Sequence, residues 1–305
     1  MPLGALTIAF DPVLRLSDSA SVRLETVALA GILFVGLLLA VRLGNRTGLR
    51  VDDLVFMVVG SVPGAIVGGR LGYVLDHLDF YTANPGAIVD ASQGALSLTL
   101  AVPLGILTGS VIARLLGAPV SRWMHALAAP LLFVLAGGKL VGVLGGSGQG
   151  APADLTWATS YAGPGPWGSL AAGVPSHPSQ VYEALLVSAG IVVLAAIGRS
   201  SVIRCQNGAA LYVALLLWAA ARFGAAFTWR DAPAVGPLNV EQVLLIGVAI
   251  VAVVGVVERI RAGRRAVGEA PAEPPNPSAA PPAGVPAEPP AGAPSETADV
   301  EAGPA

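Results

Sequence analysis

Three basic side chains lie where the sequence is most apolar: Arg70 in GGRLGYVL, Lys139 in LAGGKLVG and Arg222 in WAAARFG. A cation inside hydrocarbon costs about 2.5–3.5 kcal/mol even on the lenient insertion scale, so such residues usually pair or serve function. Lys139 is the only lysine in the chain, which otherwise uses arginine; this is compatible with a positional need for a compact ammonium. A fourth stretch, SHPSQVYEALL (176–186), opens an apolar run with polar and ring-bearing residues. Its Glu183 falls about a turn inside and needs a counter-ion, for which Arg70 and Arg222 are the candidates. Gathered cations of this kind bind anions, and at a membrane face the available anion is a phospholipid phosphate. Taken singly, each could instead be a long side chain that snorkels to the interface. Three at one depth point to a site.

The elements that hold these residues are membrane helices. Of 305 residues, 54% are hydrophobic and 12% charged, with mean hydropathy +0.71, whereas a soluble domain carries about 25% charged residues. Runs long enough to cross a bilayer, about 17–25 residues each, occur near 26–43, 54–75, 94–113, 123–146, 180–198, 209–229 and 240–257. The expected fold is all-α, a polytopic membrane protein with seven transmembrane helices. An external segment, 1–25, precedes a membrane domain, 26–262. Residues 263–305 are rich in Pro, Ala and Glu and read as a disordered cytoplasmic tail. The lone Cys205 excludes an internal disulfide framework, and no metal-ligand pattern, cofactor motif or nucleic-acid surface is read from the sequence.

Orientation follows from the basic residues between the spans. Eleven of them fall on one side: Arg42, Arg46, Arg50, Arg114, Arg122, Arg199, Arg204, Arg259, Arg261, Arg264 and Arg265. Only Arg15, Arg23 and Arg230 fall on the other. The N-terminus is therefore expected outside and the C-terminus in the cytoplasm. The first run lacks a basic leader and a small-residue cleavage site, and reads as an anchor.

With this orientation the second, fourth and sixth spans all run outward. Each carries its cation five to seven residues before its outer end, roughly 10 Å deep at 1.5 Å per residue. Arg230 waits at the outer mouth of the sixth. The fifth span runs inward, so residues 177–183 stand at the same level. Pro178 suits a first helical position, which predicts His177 as the cap and Gln180 as the residue reaching back to it. Tyr182 suits the headgroup level. Ser179 and Glu183 are four apart and share a helix face. Glycine recurs every fourth residue at 60, 64, 68 and 72 and again at 138, 142, 146 and 150, spacing that lets helices approach closely.

GGRLGYVL (68–75) and HPSQVYEALL (177–186) resemble the prolipoprotein diacylglyceryl transferase family. So do AFDPV (9–13), PLLFVLAGGKL (130–140), WAAARF around Arg222 and EQVLL (241–245), and the resemblance covers about residues 5–260. It implies a multi-pass protein of the bacterial plasma membrane that moves the diacylglyceryl group of phosphatidylglycerol onto the lipobox cysteine of preprolipoproteins. Carried over, the arginine of the family signature corresponds to Lys139, its sixth-span arginine to Arg222, and the glycine closing the signature to Gly150. Other positions depart. The family histidine of an HGG turn falls on Thr99 or a neighbour, and the signature's asparagine and glutamate fall on Gly142 and Ser147. The glutamate beyond the sixth-span arginine falls on Ala226, and a first-span tyrosine on Thr26.

The implied chemistry is attack of a thiolate on a glycerol carbon while a phosphate-bearing group leaves. Lys139 and Arg222 are the expected stabilisers of the leaving phosphate. Glu183 and His177 are the candidates for promoting the thiolate, since a free cysteine has a pKa near 8.5; His77, in the second outer connection, is a further one. Arg70, Gly150, Gln180, Tyr182 and Arg230 are expected to line the substrate site. No cofactor is implied. A non-catalytic paralogue that binds anionic phospholipid or lipoprotein precursors is the alternative, while a solute transporter is disfavoured because no opposed broken-helix repeats are evident.

Overall fold

The structure, a computed structural model, describes residues 5–90, 92, 94–198 and 206–268. Cys205, Arg199 and Arg204 lie outside these residues, as does the expected tail beyond Gly268. The chain divides into a compact unit, Met1–Arg265, and a second one, Ala266–Ala305.

Seven helices among the described residues are long and apolar enough to cross a membrane. They are α1 (Leu24–Arg46), α2 (Val51–Asp76), α4 (Leu98–Leu115), α5 (Val120–Gly145), α6 (Ser179–Ile197), α7 (Ala209–Ala225) and α8 (Val240–Gly268). A short α3 (Leu78–Ala83) and a 3-10 turn (Pro85–Ile88) fill the connection between α2 and α4. Each apolar run of the sequence has its helix, and α8 continues past residue 263.

Two small sheets ornament one end of the bundle. β1 (Leu6–Ala9) pairs in parallel with β4 (Thr159–Ala162), from Leu6 against Thr159 to Ala9 against Ala162. β2 (Val13–Arg15) and β3 (Ser21–Arg23) form an antiparallel hairpin leading into α1. Both are too short to alter the helical class. Together with the long connection 146–178 they gather at the end where α2, α5 and α7 finish and α6 and α8 begin.

Glycine decides which helices touch. A Cβ at Gly64 or Gly68 would strike the carbonyl oxygens of Leu104 or Leu100, and one at Gly72 would meet Ser97 Cβ at 3.0 Å. The 60–72 ladder is thus the face that α2 presents to α4. The 138–150 series has a different outcome. α5 ends at Gly145, Gly146 closes it with φ +80°, and Gly150 lies in the following connection. The contact between α1 and α5 uses Gly36 and Gly137 instead, against Val134 and Ile32. The main core joins α5, α6, α7 and α8 through Leu132, Val187, Leu215, Trp218, Leu245 and Ala252, all at most 5% exposed. It holds rigid the four helices that carry the polar cluster.

Candidate active site

Arg222, on the last turn of α7, is the hub. Its Nη1 donates to both oxygens of Glu183 on α6, at 2.9 and 3.1 Å. Its Nη2 and Nε donate to Oε2 of Glu241, on the first turn of α8, at 2.8 and 3.1 Å. Nε also reaches Thr99 Oγ1 at 3.2 Å. A planar guanidinium suits such two-sided recognition, because its fork matches a carboxylate on each edge.

Each carboxylate has a second set of partners. Lys139 Nζ, from α5, stands 3.0 Å from Glu183 Oε2. Thr99 and Ser97, at the start of α4, donate their hydroxyls to Glu241 at 2.6 and 2.7 Å. Trp229, just past α7, lies under both cations, with its ring centroid 4.6 Å from the Arg222 guanidinium and 5.7 Å from Lys139 Nζ. The resulting chain, Lys139–Glu183–Arg222–Glu241, alternates in sign and is neutral overall. Side-chain exposure runs 21% for Lys139, 1% for Glu183, 6% for Arg222 and 9% for Glu241. Lys139 alone is appreciably open. An ammonium has three donors, so one can stay on Glu183 while others meet an incoming anion.

Of the three membrane cations, the structure therefore gathers two. Arg70 leaves α2 on the side of the α2–α4 connection, where it donates to the carbonyls of Ala87, Ile88 and Asp90 and lies 5.3 Å from the Tyr81 ring. Of the two counter-ions considered for Glu183, Arg222 is the one used, with Lys139 beside it.

The start of α6 is built differently from the expected cap. The helix begins at Ser179, with Pro178 before it and no side-chain cap. His177 works through its backbone, whose N–H donates to Ala151 O and whose carbonyl accepts from Gly150 N–H, at 2.9 and 2.8 Å. Its buried Nδ1 has no hydrogen-bond partner among the described residues. Gln180 turns away from the helix start and donates to the Tyr161 hydroxyl at 3.0 Å; burial pushes that phenol up to about 12. The proline fixes the backbone before the helix, and its carbonyl, not a side chain, accepts from the first-turn N–H groups of Val181 and Tyr182, at 2.9 and 3.1 Å. Ser179 and Glu183 do share a face, Ser179 meeting Thr228 Oγ1 at 2.6 Å.

Three further residues frame the cluster. Tyr182 accepts from Trp157 Nε1 at 2.7 Å. Arg230 donates to Gly150 O at 2.6 Å and Ser176 Oγ at 3.0 Å, tying the long connection to the segment before α6. Gly150 is glycine for lack of room: a Cβ would strike Ser179 Oγ and the Thr228 carbonyl.

Glu241, Ser97 and Trp229 were not singled out by the sequence, although Glu241 opens one of the motifs that carry the resemblance. The resemblance puts the family glutamate on Ala226, one turn beyond Arg222; in the structure the carboxylate on Arg222 comes from Glu241 of α8. The resemblance likewise puts the signature glutamate on Ser147. There Ser147 Oγ donates to Glu25 of α1 at 2.9 Å, and Glu25 sits 3.4 Å from Arg23.

Comparison with known proteins agrees with this architecture. A family model described as prolipoprotein diacylglyceryl transferase matches residues 15–258. Proteins named phosphatidylglycerol–prolipoprotein diacylglyceryl transferase from Bacillus mycoides (strain KBAB4) and Bacillus cereus (strain B4264) are 28% and 29% identical over 237 residues, 75% of this chain and 85% of each relative. With more than half its length matched, and with the cations of the fourth and sixth spans meeting on one glutamate, this chain belongs to the prolipoprotein diacylglyceryl transferase family.

Proposed function

We propose that this protein transfers the diacylglyceryl group of phosphatidylglycerol to the thiol of a lipobox cysteine in preprolipoproteins. It does so as a multi-pass protein of the bacterial plasma membrane, with the N-terminus outside and the site opening toward the outer leaflet. The observation that carries this reading is the ion chain capped by Trp229. Lys139, the exposed end of that chain, meets the phosphate, and Arg222 holds the geometry from beneath.

The reaction forms one carbon–sulfur bond and breaks one carbon–oxygen bond. Sulfur attacks the diacylglycerol carbon that bears the phosphate, and the bonding pair leaves with glycerol phosphate. Charge develops on that phosphate, and preorganised donors there commonly form the largest catalytic contribution. The cations need no reorganisation because Glu183 and Glu241 already fix them. Arg230 and Gly150 shape the mouth, while Gln180 and Tyr182 hold the long connection against α6.

The alternative, a paralogue that only binds anionic lipid, draws on the replacements at Thr99, Gly142, Ser147 and Ala226. Glu241 and Glu25 weigh against it, since each supplies a carboxylate beside a vacated position. Purified protein incubated with phosphatidylglycerol and a lipobox peptide, with mass spectrometry of the cysteine, separates the two. A diacylglyceryl adduct is expected. Its absence under conditions where the Bacillus cereus relative forms one would leave only lipid binding.

A further inference from the structure

The end of the bundle away from the ion chain carries cations of its own. Glu25 opens α1 beside Gly145, where α5 finishes, and Gly44 ends it against Trp123, where α5 begins, so α1 finishes at that far end. Several arginines there have partners. Arg122 donates to the Thr47 carbonyl, Arg259 to Ser121 Oγ at 3.1 Å, and Arg261 to Glu258 at 2.9 Å. Arg42 and Arg46, on the last turns of α1, have no hydrogen bond or ion pair among the described residues. Neither is needed to close the helix, because Thr47 Oγ1 donates to the Gly44 carbonyl at 2.9 Å and Arg122 covers that of Thr47. The two line a cleft of about 480 Å³ together with Leu38, Val41 and Asn45.

Helical geometry puts this cleft on the lipid side. α1 buries Gly36, Ala40 and Gly44 at four-residue spacing. A Cβ at Gly36 would strike Val134, and one at Gly44 would strike Trp123, both on α5. Residues 34, 38, 42 and 46 repeat at the same spacing but are displaced by two positions, about 200° around the helix. They form the opposite face. Phe34 and Leu38 on that face are 62% and 51% exposed, and α1 is the least buried of the seven spans. From the bilayer interior outward the face therefore presents an aromatic ring, an aliphatic chain and two guanidiniums.

Charge complementarity selects the occupant. A single arginine here would be accounted for by snorkelling, but two unpaired ones a turn apart concentrate positive charge at one point. A guanidinium presents a fork that fits phosphate oxygens, and Asn45 adds a neutral donor beside it. The apolar side chains beneath them suit an acyl chain. A second copy of this chain fits poorly, because residues 34–46 contain no carboxylate and two-fold pairing would bring the same cations together. An acidic peptide from solution would leave Phe34 and Leu38 without a partner.

We propose that the Arg42–Arg46 face of α1 binds one anionic phospholipid in the leaflet opposite the ion chain, with its phosphate between the two guanidiniums and an acyl chain along Leu38 and Phe34. The site anchors lipid and performs no chemistry, so it stands independently of the transfer function.

The test is the double variant Arg42→Gln, Arg46→Gln in the full-length purified protein, with retention of phosphatidylserine against phosphatidylcholine followed by native mass spectrometry. Affinity for phosphatidylserine should fall roughly five-fold per arginine, about 30-fold for the pair, the weight of a cation near an anionic surface. Arg50→Gln with Arg114→Gln removes the same charge from the same end and should leave the lipid bound. Equal losses from the two doubles would show a diffuse basic surface and overturn the site. Lys139→Ala should also keep the lipid, and its loss there would place the bound molecule at the ion chain instead. Phe34→Ala with Leu38→Ala leaves every charge in place and should loosen the lipid; wild-type affinity in that variant would overturn the acyl contact. Inorganic phosphate at millimolar concentration should not displace the lipid, and displacement would mark a site for any small anion.

Discussion

Replacing Glu241 by alanine should disable Arg222 without touching it. The structure allows the consequence to be worked out. The substitution removes the acceptor of two Arg222 N–H groups, at 2.8 and 3.1 Å, and of the Ser97 and Thr99 hydroxyls, at 2.7 and 2.6 Å. Breaking a buried ion pair by removing one partner typically costs about 3–5 kcal/mol, because an uncompensated charge stays behind. Two buried hydroxyls left without an acceptor would each add about 1–3 kcal/mol unless they rotate to another acceptor, so the ion-pair figure is the lower bound. In transfer, a guanidinium no longer held in register is comparable to a missing oxyanion donor, a loss of about 10²–10³ in kcat.

A relocated carboxylate separates positioning from plain damage. Ala226 lies one turn beyond Arg222, and side chains four apart on a helix meet. In the double variant Glu241→Ala, Ala226→Glu, the new side chain enters the space vacated by the old one and re-engages the same guanidinium. Transfer and the thermal midpoint in detergent should both recover in part. Ala226→Glu alone should be worse than wild type, because it adds a third carboxylate to a neutral ion chain. A Glu241→Ala protein with wild-type transfer and an unchanged midpoint would refute the claim that α8 holds Arg222.

Lys139→Ala should lower transfer by about 10²–10³-fold through loss of a phosphate donor, while Lys139→Arg should retain it; the peptide assay at saturating phosphatidylglycerol decides. Gly150→Ala should lower the thermal midpoint by an amount corresponding to about 1–3 kcal/mol, the usual cost of overpacking, because its Cβ meets Ser179 and Thr228. A reporter fused after Arg50 or Arg265 should score cytoplasmic and one near Asp154 external, and an external signal at Arg50 would contradict the orientation on which access to the outer leaflet depends.

The seven spans were legible because apolar length is a one-dimensional property, and so was the need of Glu183 for a counter-ion, with Arg70 and Arg222 both as candidates. Direction around a helix was not legible, and Arg70 shows why. It lies two residues from Gly68 and two from Gly72, and neighbours at that spacing point to different faces of a helix. Gly68 and Gly72 pack on α4, so Arg70 must point elsewhere, toward the carbonyls at 87–90. The glycine ladder held that signal, though depth alone did not use it. Glu241 was hidden for another reason. An acid in the first turn of a helix is commonplace, favoured by the helix dipole, and only its place in EQVLL sets it apart from Glu25 or Asp52.

The vacated positions carry the larger lesson. A missing glutamate at 226 or 147 reads as lost chemistry when residues are matched along the chain. Arg222, however, responds to the field where it sits, and a carboxylate from α8 supplies the same sign at 2.8 Å as one from its own helix would. Glu25 reaches Ser147 from α1 in the same way. The four helices around the ion chain share one core, so moving a carboxylate between them preserves the electrostatics without disturbing the packing.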